Sequence, residues 1–508
     1  MFSLTSTIDS SSIFSPRTAE LLLRTGKPKI STPGILTCTS RGIVPHLSND
    51  NVKRTRAIRW VHVSFESFLE HSPPIPTLLQ PQHGDKPRLN SFLGLDENDY
   101  LLSMSLRDPS DGREMPANTN TYVTANCIRG VRRVTPHDWQ EYVRSLKPDI
   151  AFSLSDIPFT PPSYSQKRIT KSIERSALWL QGLLGALSAS SPMLFVQMAG
   201  GASIPARKAF SDSLLEVVHG KDADAIHPMK SLDEGVAGYV FDLVPLRLAL
   251  APDESICTLL QASLRPLPRT KPRLVTSACG PHEMLRLIRD VGVDLFDTQW
   301  AQRAADVGVA LDFGFPVAIA GGQQQLHDLG YNLYDDKYRR DFTSLGIGCT
   351  CPSCSPYSIP ADEIIRHSSI DAPSTTLAGA HQPYTKAYLH HLLHTHEMSA
   401  HTLLVMHNMT VMERFFEGVR DVIGGAGGSK DDFVMHVSKF IETYAEDDSE
   451  SNSNPEGNVL AAARKAWREV ELLRGKGRLS REAEKTNQAN EMLVKEMDEK
   501  GAEGGVLD

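Results

Sequence analysis

The sequence predicts an α/β protein built on a parallel sheet. Three observations carry this: apolar runs of strand length recur, a helical pattern follows most of them, and no nucleotide fingerprint intervenes. The runs are "PDIAFSLSD" (148–156), "PMLFVQMAGG" (192–201), "GVAGYVFDLVP" (235–245), "PRLVTSACG" (272–280) and "VDLFDTQ" (293–299). Each of the first four precedes a longer segment with helical apolar spacing, such as "KSIERSALWLQGLLGALSAS" or "HEMLRLIRDVG". Parallel strands need crossover connections, so repeated strand–helix units imply a parallel sheet. No GxGxxG follows any of these strands, which removes the main reason to prefer a dinucleotide-binding sheet. Five units in about 150 residues suit an open doubly wound sheet or a closed eight-stranded barrel. Both place chemistry at the C-terminal ends of strands. Those ends carry Ser155, Asp156, Gln197 through Gly201, Asp242 and Asp297.

Around this centre the chain is less regular. Residues 35–150 hold short strand-like runs and many turn formers, including "HSPPIPTLLQPQHGDKP", consistent with opening strands plus insertions. A long helical segment begins near Lys386, passes Arg420 and ends at "GGAGG" (424–428). The stretch "EDDSESNSNPEGN" (446–458) reads as a solvated linker. Beyond it, "VLAAARKAWREVELLRGKG" and "REAEKTNQANEMLVKEMDEK" read as charged helices with thin apolar stripes, peripheral or partner-binding rather than core.

At 508 residues the chain has room for a large core or two to three domains. With 40% hydrophobic and 22% charged residues, and no apolar run of membrane-spanning length, it reads as a soluble globular protein. The N-terminus lacks the basic start and apolar stretch of a secretory signal, and clustered thiols fit a reducing compartment, so a cytosolic location is expected. Net charge is −8, against a whole-surface polyanion clamp. From Ile441 onward there are 16 acidic and 10 basic residues, so most of that charge belongs to the tail. Two basic runs, "KRTRAIR" (53–59) and "QKRITKSIER" (166–175), are candidates for phosphate contact, although such runs are more often solvated faces.

Three of the seven cysteines crowd into "GCTCPSCS" (348–355): Cys349, Cys351 and Cys354. The other four are scattered, which is not the pattern of a disulfide scaffold. Three thiolates at this spacing look like metal ligands, and three Cys with one His would close a tetrahedral structural zinc site. Eight histidines lie between His367 and His407, and local geometry does not choose among them.

The segment "YTKAYLHHLLHTHEMSAHTLLVMHN" resembles the tRNA-guanine transglycosylase family, which follows CxCxxC with a helix of the form "[ST]RAYLHHL…E…HN". In that register Glu397 matches the family's Glu, and the resemblance implies His407 of the closing "HN" as the fourth zinc ligand. One departure is the insertion from Ser355 to Pro383, whose closure has a modest entropic cost. Upstream, "KPRLVTSACGPHEMLRLIRDVGVDLFDTQW", "PDIAFSLSD", "LFVQMAGG" and "RGVRRVTPHDW" are similar to further family segments, so the likeness covers roughly 120–420. It implies a (β/α)8 TIM barrel with a zinc-binding subdomain near the C-terminus, to which the charged helical tail read above is added. The divisions expected are 1–34 as a flexible N-terminus, 35–345 as the barrel, 346–423 as the zinc subdomain and the helix completing the barrel, and 424–508 as an acidic linker and helical tail.

Members of this family exchange guanine at the tRNA wobble position, with one aspartate attacking ribose C1′ and a second acting as general base. Asp297 in "GVDLFD" occupies the nucleophile position. The base motif "DSGG[FY]Q" has no counterpart, and "RDPSDGREM" (107–115) does not match it. Ser155 stands where base recognition expects Asp, and Asp306 where an Arg should meet tRNA. Asp297 is therefore expected to be a vestigial nucleophile, with Asp156 and Gln197 lining a vestigial pocket and no catalytic residue in use. These departures, and "RGIVPHL" (41–47), look like the non-catalytic partner of the eukaryotic enzymes, in a fungal-type version. The resemblance implies one structural zinc per chain, a heterodimer with the catalytic subunit, tRNA contact through that complex, and association with the mitochondrial outer membrane. Tyr388, Leu392, Leu403, Met406 and Phe415 lie at near-helical spacing, and part of this surface is expected at the heterodimer interface. Two other readings are an active transglycosylase using Asp297, and a zinc-bearing barrel for unrelated RNA or protein binding.

Overall fold

The computed structural model describes residues 2–473 apart from 10, 24–25, 79–87, 158–163, 188–191, 251–253, 318–325, 356–382, 426–429 and 447–458. Eight parallel strands form a closed barrel in chain order: β1 (Gly34–Cys38), β2 (Trp60–Ser64), β3 (Leu101–Ser105), β4 (Ile150–Phe152), β5 (Met193–Gln197), β6 (Gly238–Asp242), β7 (Arg273–Thr276) and β8 (Leu295–Asp297). The seam closes where β8 pairs with β1, Leu295 opposite Gly34 and Asp297 opposite Leu36. This decides between the two architectures in favour of the (β/α)8 barrel.

The two-residue period of a strand divides its side chains between the barrel's inside and its helical jacket. Leu36, Trp60, Leu101, Ile150, Phe152, Phe195, Val240, Leu274 and Leu295 fill the interior as one cluster. Their neighbours, including Ile35, Val61, Val63, Met104, Val196, Phe241, Val275 and Phe296, face outward into the larger core beneath the helices. Polar atoms inside are paired: Ser103 Oγ accepts from Trp60 Nε1 and lies 2.8 Å from His62 Nδ1. Burial pushes the His62 imidazole down to about 3, so it stays neutral.

Helices are started by local chemistry. Thr135 and Asp138 form a reciprocal capping box at Pro136–Leu146, and Ser165 caps the helix Gln166–Ala186. The helix Met398–Gly424 returns from the metal-cluster region to the barrel, stacking Phe416 on Phe296 at 5.6 Å. Arg420 donates to the Pro33 carbonyl at 2.8 Å, just ahead of β1.

Three expectations are corrected. Residues 1–34, read as a flexible N-terminus, carry an antiparallel sheet of Phe2–Thr7, Arg17–Leu21 and Ile30–Thr32. Leu21 and Ile30 join the barrel's interior cluster, and Arg17 makes a buried two-pronged pair with Asp294 (2.7 and 2.8 Å). The single helix from Lys386 past Arg420 is two, Lys386–Thr395 and Met398–Gly424, because His396 takes a left-handed φ of 59°. The tail is not wholly peripheral: Lys430–Thr443 buries Phe433, Val437 and Phe440, and Val459–Leu473 buries Leu460 and Ala463. The second tail helix expected at 481–500, like most of the 355–383 insertion, lies outside the described residues.

Candidate metal centre and the barrel mouth

Sulfurs of Cys349, Cys351 and Cys354 converge on Nδ1 of His407, with all four ligand atoms within 4.8 Å of one another. The sulfur–nitrogen separations are 3.7, 3.5 and 3.5 Å. Zinc bonds of about 2.3 Å to sulfur and 2.0–2.1 Å to nitrogen, at tetrahedral angles, require an edge of about 3.5 Å. The donor set and its spacing therefore fit that ion.

Local chain features build the cluster. Gly348 takes φ +66°, turning the chain into Cys349. The Cys354 amide donates to Cys351 Sγ at 3.3 Å, and Ser353 Oγ donates to the Leu403 carbonyl at 2.7 Å, tying the loop to the helix that carries His407. On the far side of the imidazole, Nε2 faces the Leu311 carbonyl at 2.8 Å, which presents Nδ1 to the sulfurs. Asn408 accepts from the Leu311 amide and donates to the carbonyls of Ala301 and Val309, so the "HN" pair registers the helix against the strand Val309–Leu311. Several other histidines of the segment face backbone carbonyls: His390 that of Leu333, His394 that of Tyr334 and His401 that of Ala305.

At the barrel mouth Asp297 is fully buried, its carboxylate accepting from the Ser277 amide at 2.7 Å and weakly from that of Gln299 at 3.4 Å. Burial pushes it up to about 6, against those hydrogen bonds and with help from Asp108. Asp242, also buried, is raised well above the carboxylate range. Asp156 differs. Burial would raise it, yet Arg168 and its hydrogen bonds hold it below the ordinary value. Its oxygens accept from Asn118 (2.8 Å), both Nη atoms of Arg168 (2.8 Å each) and Arg175 (3.0 Å). The basic run 166–175 thus turns two arginines inward; Arg56 and Arg59 of the other run precede β2, at the end opposite the mouth. Gln197 lines a cavity of about 20 Å³ with Arg107, Phe152, Asp242 and Thr276. A second of about 20 Å³ lies between Asp156, Met198, Arg207 and Asp242. Each has room for a water, not for a nucleobase.

Sequence reasoning set the stretch "RDPSDGREM" aside as no match to the base motif, and so missed what Asp108 does. Asp108 sits close enough to Asp297, Asp242 and Cys38 to raise all three. Its own oxygen is held by the amide and hydroxyl of Ser110, and Ser277 Oγ donates to the Pro109 carbonyl at 3.2 Å, drawing this loop over the mouth. Its place at the end of β3 was the available signal. The expected interface residues are mostly interior: Leu392, Leu403, Met406 and Phe415 are buried, and only Tyr388 of the five is exposed.

Fold and site together define a class, a (β/α)8 barrel whose returning helix Met398–Gly424 carries the histidine that completes a three-cysteine cluster. The family model described as queuine tRNA-ribosyltransferase matches residues 14–446. The chain belongs to that family. Among curated proteins it is similar to the queuine tRNA-ribosyltransferase accessory subunit 2 of Homo sapiens, 26% identical over 83% of this chain and 95% of that protein. The protein of the same description from Schizosaccharomyces pombe is 27% identical over 85% and 83%, and that from Drosophila persimilis 26% over 81% and 87%. No helix among the described residues is long and apolar enough to cross a membrane.

Proposed function

We propose that this chain is the non-catalytic accessory subunit of a queuine tRNA-ribosyltransferase, supporting exchange of guanine for queuine at position 34 of tRNAs with GUN anticodons. The observation that carries the non-catalytic part is the occupied carboxylate at the mouth: Asp156 is saturated by Asn118, Arg168 and Arg175, and the cavities that Asp156 and Gln197 line are water-sized. The wider one of about 460 Å³ beside them is lined by Arg168, Ser172, Gly200 and Gly201 but not by Asp156 or Asp297. The names of the relatives support the accessory role. A structural zinc at Cys349, Cys351, Cys354 and His407 belongs to the proposal, supported by the buried Cys3His donor set and its sulfur–nitrogen separations of 3.5, 3.5 and 3.7 Å.

The partner is the catalytic subunit, in a heterodimer that also contacts tRNA. An exposed apolar patch on the metal-cluster region supports this: Phe342 and Ile347 are 77% and 99% exposed, near the stacked rings of Tyr384 and Tyr388. Placement in the cytoplasm, peripheral on the mitochondrial outer membrane, rests on the family resemblance alone.

Asp108 beside Asp297 favours a second reading, a transglycosylase with an atypical base. Assaying guanine exchange by this chain alone, by the catalytic subunit alone and by both together separates the two. Exchange needing the mixture fits the accessory role, and exchange by this chain alone rejects it.

A further inference from the structure

The connection after β3 carries a hairpin, Val123–Cys127 paired with Gly130–Val134, whose sequence from Ile128 is "IRGVRRV". It stands at the mouth end of the barrel, since β3 delivers its C-terminus there. Two features make it rigid. The Glu66 carboxylate, just past β2, accepts from the amides of Asp108 (3.0 Å) and Asn126 (3.3 Å), fastening the hairpin to the barrel rim. At the turn, Cys127 Sγ donates to the Gly130 carbonyl, and Gly130 adopts φ +97°, a conformation that favours glycine.

What this scaffold presents is unusually one-signed. Arg129, Arg132 and Arg133 fall within five positions of one hairpin, and Arg41, from the loop after β1, shares the carboxylate of Glu70 with Arg129. That sharing is loose, at 4.0 Å to Arg41 and 3.7 Å to Arg129, whose side chain is 64% exposed. Arg132 reaches only the carbonyls of Arg129 and Val131, at 3.4–3.5 Å, and Arg133 stacks over the Tyr122 ring at 4.8 Å. Neither meets a carboxylate among the described residues. Four arginines on this part of the rim, with Glu70 the one carboxylate paired to any of them among the described residues, leave a local excess of positive charge in a chain whose net charge is −8. A ligand relieves this if it brings closely spaced negative charge, and the planar guanidinium fork matches phosphate oxygens.

We propose that the hairpin 123–134, with Arg41, is the surface through which this chain grips the phosphate backbone of RNA. The inference rests on the accessory-subunit reading and names the part of the barrel rim that serves it. Phosphate contacts of this kind position the RNA without reading its sequence. The water-sized cavities beside Asp156 and Gln197 are then no obstacle, because the RNA lies across the rim and the reacting nucleotide is handled by the partner. Val131 and Ile128, exposed beside the arginines, offer the tip an apolar surface for the ribose faces.

The test uses the full chain with its catalytic subunit and an unmodified tRNA transcript with a G34–U35 anticodon, measuring affinity across a salt series. Replacing Arg129, Arg132 and Arg133 together by Glu is expected to weaken binding at least tenfold. It should also flatten the slope of log affinity on log salt by about two, at roughly 0.7–0.9 per phosphate contact. The triple Lys variant should keep most of both. Should the Glu variant misfold, Arg132→Gln alone must lower the slope by about one-half to one. Unchanged affinity and slope overturn the proposal, as does loss of subunit association with RNA binding intact, which would make the hairpin a protein contact. A wild-type complex without RNA affinity overturns the surface together with the reading beneath it.

Discussion

His46 Nε2 lies 2.7 Å from the carboxylate of Asp306. Asp306 occupies the position where the family resemblance expects an arginine, and His46 comes from "RGIVPHL", with a left-handed φ of 63°. The His46 ring stacks on His401 at 4.9 Å, and Thr402 Oγ1 donates to the His46 carbonyl. The loop after β1 and the long returning helix are joined here, so the aspartate is more than a missing cation. Asp306→Arg should therefore not restore guanine exchange. The pair is partly exposed, so its loss should cost no more than about 1 kcal/mol. Exchange assays and denaturant titration check both parts; exchange gained by the variant chain alone would contradict the first.

The metal centre gives the largest expected stability effect. Cys351→Ser removes one of four ligands from a buried cluster. Zinc content per purified chain should fall from about one to near zero, with a loss of several kcal/mol, since binding free energy at such sites is folding free energy. Gly346 offers a second handle, because a Cβ there would meet His407 Cε1 at 3.2 Å. Gly346→Ala should weaken zinc retention against a chelator. Full occupancy and unchanged melting in a His407→Ala protein would show the assignment wrong.

The apolar patch predicts a separable phenotype. Phe342→Asp and Ile347→Asp alter side chains that face solvent in the isolated chain, so the melting temperature should barely move. If those side chains meet the catalytic subunit, each change should weaken association at least tenfold, the loss of a buried anchor being worth about 2 kcal/mol. Equal heterodimer affinity in calorimetry would place the interface elsewhere.

Legibility followed burial and locality. Strands β4 to β8 stood out because, buried on both faces, they read as apolar runs bounded by turn signals. The N-terminal sheet did not, because "RTAEL" shows charges whose meaning lies elsewhere: Arg17 finds Asp294 277 residues away. Phe433, Val437 and Phe440 sit at a core-facing spacing, but acidic neighbours disguised their helix as tail. Three cysteines at close spacing announced a cluster, whereas the fourth ligand, 53 to 58 residues on, needed the family register. Arg168 and Arg175 looked like a solvated face because sequence gives no sign that both turn onto Asp156.

Asp297 should impose a pH dependence with a definite sign. Its folded-state pKa is raised from 3.8 to about 6, chiefly by burial. Between those values the native state keeps a proton that the unfolded chain releases, so stability falls as pH rises from 4 to 6 and stays lower above. Two units correspond to at most about 3 kcal/mol. Asp297→Asn removes this penalty and can keep the hydrogen bond from the Ser277 amide, so the variant should be the more stable protein at pH 7.5. That advantage should vanish toward pH 4. Glu66, raised to about 7 by burial, titrates in the same direction, so the difference between variant and wild type isolates Asp297. A variant less stable than wild type at pH 7.5 would refute the account.

The same residue decides between the two catalytic readings. A nucleophile that attacks ribose C1′ must be ionised, reachable and opposed by a base that deprotonates the incoming purine. Asp297 meets the second condition poorly: it is fully buried, and Pro109 is held over Ser277 beside it. The neighbouring Asp108 is tied to Ser110, and Asp156 to Asn118, Arg168 and Arg175. Each shortfall in positioning or proton transfer typically costs about 10²-fold or more in rate, so together they should leave no measurable exchange by this chain. A heterodimer carrying Asp297→Ala here should then exchange guanine at a nearly normal rate, while the equivalent change in the catalytic subunit silences it. Mass spectrometry of RNA-trapped protein supplies the independent readout, with the adduct expected on the partner alone. An adduct at Asp297, or a heterodimer silenced by this one substitution, would mean that the second carboxylate at the mouth is a working base and that the barrel is an enzyme.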